Sequence, residues 1–181
     1  MLVRSDPAER LEAFARLLDG LRAFAKQGRA NNALLVEQPG PGSTPGRDAQ
    51  PGCGFWGGGS SLGYVDCALL PYAYRLYVLE HYRGPAFAVP RPPPGTAGNA
   101  GQQGRSTDAA DEEVALWAWY HAWLAKCAAL PHVKRTLPDQ ARYLAHVQKY
   151  AEGLARSKVG NAVRRGADAH AYDDKLDGDS Q

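Results

Sequence analysis

Leu11, Phe14, Leu17, Leu18, Leu21 and Phe24 recur at three- and four-residue intervals with charged positions between them, the spacing of one apolar helix face. Ser5-Asp6-Pro7 supplies a cap residue and an early proline in front of this run, so a first helix is predicted from there to an end near Gly28. A second helix is predicted from about Tyr64 to His81 or Tyr82, with Leu70, Tyr74, Tyr77, Val78 and His81 on one face and Gly84-Pro85 ending it. Pro71 lies inside that run, where a missing N–H and a ring clash cost on the order of 3 kcal/mol unless the helix bends.

A third helix is expected from Ser106-Thr107-Asp108, carrying Val114, Leu116, Trp117, Trp119, Tyr120, Trp123, Leu124, Cys127 and Leu130. Its apolar girth is too wide for a surface helix, which makes it central. Pro131 closes it. Thr136-Leu137-Pro138-Asp139 then restarts a helix with a T-x-x-D cap, leading into Tyr143, Leu144, Val147, Tyr150, Ala151 and Leu154. No window alternates with period two and no internal repeat stands out, so the fold class is all-α, a helical bundle. Pro/Gly-rich inserts at about 39–54 and 90–107 cannot bury enough apolar surface to offset their ordering entropy, and 167–181 is expected to be a flexible tail.

The stretch FWGGGSSLGYVDCALLPYAYRLYVLEHYRG, residues 55–84, is the most specific in the chain. Gly63 falls at the N-cap of the second helix and Asp66 at N3, facing free backbone N–H groups and the positive end of the dipole. Leu62 and Cys67 are spaced as a hydrophobic staple that turns the Cys67 thiol inward. Asp66 is therefore read as a structural residue.

Composition narrows the classes. With 181 residues, 44% hydrophobic and 22% charged, the chain suits a single globular domain. A formal charge of +2, with no long basic stripe interleaved with aromatics, argues against nucleic acid as a partner. Cys53, Cys67 and Cys127 are odd in number and widely spaced, which fits reduced thiols in a cytoplasmic setting, with Cys53 exposed in its insert. Neither a leader-like apolar segment nor a run approaching the roughly 20 residues of a membrane span is present, so a membrane is not an expected partner. His81, His121, His132, His146 and His170 form no ligand-spaced cluster, so no metal is expected. Trp117, Trp119 and Trp123 are assigned to packing.

The same residues carry a family resemblance. Phe55-Trp56-Gly57-Gly58 followed by Gly63-Tyr64-Val65-Asp66 resembles the loop and capped helix in the C-terminal domain of cytosolic glutathione transferases of the omega and omega-like kind. Glycine stands where that family carries a cap hydroxyl. Trp119-Tyr120-His121-Ala122-Trp123, Pro131-His132-Val133 and YAEGLARSKVGNAVRRG are similar to later parts of the same domain, so the resemblance covers residues 1–166 apart from the inserts.

It implies a glutathione transferase C-terminal-type helical domain without the thioredoxin-like domain that holds glutathione and supplies the catalytic residue. No catalytic residue is expected in this chain, nor cofactor bound by it alone, and by itself it is expected to be inactive. Glutathione is the family co-substrate. Leu70, Tyr74 and Arg75 fall where omega-type members border the hydrophobic substrate pocket, with Leu70 departing from the usual aromatic. Conjugation or thiol transfer would require a thioredoxin-like domain in cis or in trans, and a homodimer or another protein is the other implied partner. The alternative is a non-catalytic protein–protein interaction module of the same fold.

Overall fold

The computed structural model describes residues 6–37, 54–93, 109–154, 157–168, 171 and 173. Among them the elements are helical: α1 (Pro7–Glu37), α2 (Tyr64–Ala73), α3 (Tyr77–Arg83), a 3-10 turn (Pro85–Phe87), α4 (Ala109–Ala129), α5 (Pro131–Lys134), α6 (Gln140–Ala151) and α7 (Lys158–Arg164). The chain falls into two compact units. One comprises Met1–Leu18, Leu76–Val89 and Pro138–Gln181; the other comprises Asp19–Arg75 and Pro90–Leu137.

In the first unit, Phe14, Leu79 and Phe87 form the core, with Leu17, Leu18 and Leu76 packed against it. The rings of Phe14 and Phe87 lie 5.2 Å apart and tilted, which adds a modest quadrupolar attraction to their burial. Asp6 caps α1 by accepting the Ala8 N–H at 2.8 Å. Gly84 ends α3 at φ 87°, and its N–H reaches the Glu80 carbonyl at 2.9 Å, as the Gly84-Pro85 pair predicts. The Tyr82 hydroxyl donates to the Leu144 carbonyl at 2.6 Å and the Arg83 guanidinium to the Ala151 carbonyl at 2.7 Å, the latter a cation at the C-terminal end of α6.

In the second unit, α4 is the central element that its girth predicted. Leu116 through Tyr120, Trp123 and Cys127 are all buried, Trp123 and Cys127 completely. Phe24 of α1 lies among its indoles, with ring centroids 4.7 Å from Trp123 and 5.8 Å from Trp119. Arg22 pairs with Glu113 at 2.8 Å and Arg29 with Glu112 at 2.7 Å, aligning the charged edges of α1 and α4. The Trp117 indole N–H also donates to Glu113 at 2.8 Å.

Three expected boundaries are corrected. The first helix does not stop near Gly28; α1 continues to Glu37, and Gly28 is a contact residue. A Cβ built there would stand 2.2 Å from the Trp119 ring, so the absence of a side chain lets the indole lie against the α1 backbone. The second helix is not continuous to Tyr82. Pro71 offers no N–H to the Cys67 carbonyl, and past it the ladder tightens to three-residue steps, Arg75 N–H to Tyr72 at 3.0 Å and Leu79 N–H to Leu76 at 3.0 Å, dividing α2 from α3. The cap expected at Thr136 is made by Asp139 at the start of α6, which accepts the Arg142 N–H, whereas the Thr136 hydroxyl donates back to the Val133 carbonyl.

The start expected at Ser106-Thr107-Asp108, Cys53, nearly all of both inserts and most of the tail lie outside the described residues. Among the described residues, no helix is long and apolar enough to cross a membrane.

Candidate functional site

The N-terminus of α2 is organised around Asp66. This side chain is completely buried, and both of its oxygens are engaged. Oδ2 accepts the Gly63 N–H at 2.8 Å, reaching back from N3 to the N-cap. Oδ1 accepts the Trp56 N–H at 2.8 Å and the Trp123 indole N–H at 2.7 Å. One carboxylate thus ties together the start of α2, the loop before it and the middle of α4. With three donors on two oxygens and no exposure, Asp66 serves as a buried acceptor rather than a group presented to substrate.

The loop that Asp66 grips is a tight turn, with the Gly58 N–H donating to the Phe55 carbonyl at 2.7 Å and Gly58 at φ 81°. That conformation favours glycine, which explains one member of the F-W-G-G string. A second set of bonds fixes the loop to α1. Asn31 donates to the Trp56 carbonyl at 2.9 Å, and Asn32 donates to the carbonyls of Gly28 at 2.6 Å and Phe55 at 3.1 Å while accepting the Gly54 N–H. The Trp56 indole N–H returns to the Phe24 carbonyl at 3.0 Å, and its ring stacks on Phe24. Phe55 is buried beneath the Lys126 ammonium, 4.7 Å from its ring centre.

Asn31, Asn32 and Trp123 are the members of this arrangement that the sequence reading did not assign to it. The adjacent Asn pair near the end of a long helix was the available signal, since such side chains are poor helix formers and good partners for loop backbone.

The other residues singled out divide into two groups. Gly63 is at the N-cap in extended conformation, and Leu62 just before it is half-buried. Cys67, however, is exposed, so the expected inward-turned thiol is corrected. The α2 entry is held by the Asp66 carboxylate, which leaves the thiol on the outer face. Leu70 and Tyr74 follow one turn apart on a shared face, the Tyr74 N–H bonding to the Leu70 carbonyl at 2.9 Å. Leu70 is buried at 6% exposure, Tyr74 is half-buried and Arg75 is exposed, a gradation from interior to surface along the end of α2. On the outer face, Tyr64 is 88% and Tyr72 71% exposed.

Electrostatics distinguish two groups. The Arg22 guanidinium bonded to Glu113 holds its carboxyl below the usual range, outweighing partial desolvation, and the Trp117 N–H adds to the effect. Burial pushes the Tyr120 hydroxyl up to about 12; that oxygen is buried and has no hydrogen-bond partner among the described residues. Among the described residues no group of three or more His, Cys, Asp or Glu is placed to hold a metal ion.

No protein-family model matches this chain, and neither a curated protein nor a solved structure matches it.

Proposed function

We propose that this chain is a helical domain of the glutathione transferase C-terminal type, omega-like, whose role is to form the apolar wall for a hydrophobic co-substrate. The observation that carries the reading is the Asp66 arrangement: an N3 carboxylate accepting from its own N-cap and from the F-W-G-G loop. This is the capped-helix device that the sequence resemblance invokes, and it holds α2, at whose C-terminal end Leu70 is followed by Tyr74 and Arg75. On this reading glutathione is bound by a thioredoxin-like domain in cis or in trans, and the chain alone performs no chemistry. The exposed Tyr64 and Tyr72 favour a second use of the same fold, as a non-catalytic interaction module.

The test uses the 181-residue chain. It is expected to bind an aryl electrophile without conjugating it, to pass through glutathione resin, and to support conjugation when a thioredoxin-like glutathione-binding domain is added. Arg75→Ala is expected to weaken electrophile binding by roughly fivefold, about 1 kcal/mol, measured well below the melting temperature of the variant. Absence of electrophile binding, or binding indifferent to both Arg75→Ala and Tyr74→Ala, would exclude the co-substrate wall and leave the interaction module.

A further inference from the structure

The whole-chain charge of +2 conceals an uneven distribution. Over residues 140–166, the segment of α6 and α7, six Lys and Arg stand against the single acid Glu152, a net +5 that leaves −3 for the rest of the chain. Glu152 is itself engaged, accepting from Gln148 at 2.6 Å.

The geometry of α6 adds a second feature to this charge. Val147 is buried and Leu144 half-buried, whereas Arg142, His146, Lys149 and Tyr150 are exposed. Along this side the rings form a short ladder: Tyr143 and His146 have centroids 6.5 Å apart at 31°, and His146 and Tyr150 are 6.3 Å apart at 58°. The Lys149 ammonium lies 5.2 Å from the Tyr150 ring centre. At the ends of α7, Lys158 and Arg165 are also exposed, and Arg164 donates to the Gly153 carbonyl at 2.8 Å, fixing α7 to the end of α6.

Against the expectation drawn from the whole-chain charge and from the lack of a long basic stripe, we propose that this α6–α7 face binds single-stranded nucleic acid. A concentration of cations matches a phosphate backbone, and aromatic rings interleaved with those cations offer a stacking surface for unpaired bases, the combination used for single strands. Anionic lipid is the less favoured partner because exposed positions of α6 carry no Leu, Ile, Phe or Trp to enter a bilayer, although Leu154 and Val159 beyond it are exposed. The proposal stands apart from the transferase reading, which assigns no binding role to any residue of α6 or α7.

The experiment is fluorescence anisotropy of a labelled mixed-sequence 12-nucleotide RNA with the full chain. Saturable binding is expected at 50 mM salt, weakening roughly 20- to 50-fold at 200 mM for three to four phosphates contacted. Arg142→Gln with Lys149→Gln is expected to weaken RNA and heparin together by on the order of tenfold. Tyr150→Ala with His146→Ala is expected to weaken RNA by about fivefold or more while leaving heparin unchanged, because stacking acts only on bases. Each variant is compared at matched melting temperature. Residues 167–181 carry five Asp against one Lys, so a chain with Asp173, Asp174, Asp177 and Asp179 changed to Asn is expected to bind more tightly through its higher net positive charge. Failure of both chains to bind at 50 mM salt, indifference of RNA binding to the Tyr150 and His146 changes, or preference for phosphatidylserine vesicles over RNA would each overturn the proposal.

Discussion

The Trp123 indole N–H donates to Asp66 Oδ1 at 2.7 Å, a bond between two completely buried side chains 57 positions apart. It joins α4 to the N-terminus of α2 through the same oxygen that holds the Trp56 amide.

Removing this acceptor leaves three donors without their partner. Asp66→Ala is expected to destabilise the fold by on the order of 3–5 kcal/mol, and Trp123→Phe by less, because that change deletes one donor and leaves the other two bonds in place. Chemical denaturation of both variants and of the double variant checks this. Additive losses would mean that the Trp123–Asp66 bond contributes nothing of its own.

Two glycines of α1 should respond to alanine with opposite signs. At Gly28 the new methyl meets the Trp119 ring at 2.2 Å, so overpacking of about 1–3 kcal/mol exceeds the gain in helix propensity of about 1 kcal/mol. At Gly20 nothing lies within 4 Å, so only the propensity gain of about 1 kcal/mol remains. Melting temperatures that move the same way in both variants would contradict the close approach of Trp119 to α1.

Tyr120 carries a pH signature. Its hydroxyl is raised from 10.0 to about 12 by burial, so the folded state keeps the proton that the unfolded chain releases. Stability from this group is intact below pH 10 and is lost as pH rises from there toward 12, by roughly 3 kcal/mol for two units. Tyr120→Phe should therefore flatten the alkaline fall in melting temperature between pH 9.5 and 11.5. At pH 7 it should be neutral or stabilising, since it deletes a hydroxyl with no partner among the described residues. A strongly destabilised variant at pH 7 would show that the hydroxyl has a bonding role.

The cap of α6 offers a clean discrimination. Asp139→Ala should cost about 1 kcal/mol, because its carboxylate accepts the Arg142 N–H at 2.9 Å. Thr136→Ala, at an exposed position one turn before the helix, should change stability by less than about 0.5 kcal/mol. Equal effects would restore the T-x-x-D reading.

These residues also indicate what could be read ahead of the structure. The buried face of α4 was legible because its apolar positions surround the helix, and Asp66 was legible because an acid three residues past a cap has few other uses. Gly28 was misread because a glycine that ends a helix and a glycine that admits an indole look alike in one dimension. Nothing local distinguishes them; the partner Trp119 is 91 positions away. Pro71 announced a disturbance without saying where the ladder would give way, and the break fell after Ala73. Cys67 was placed inward by assuming an apolar staple, whereas the carboxylate three residues after the cap already fixes the helix entry. The charge of α6 and α7 was hidden by averaging over the whole chain.

All four tryptophans, Trp56, Trp117, Trp119 and Trp123, belong to the unit built on α4, and the Phe14–Leu79–Phe87 core contains none. Intrinsic indole emission is therefore a reporter for one half of the molecule. If the two units melt separately, a tryptophan trace would record a single clean transition while calorimetry or amide exchange records two, and the discrepancy would measure how strongly the halves cooperate.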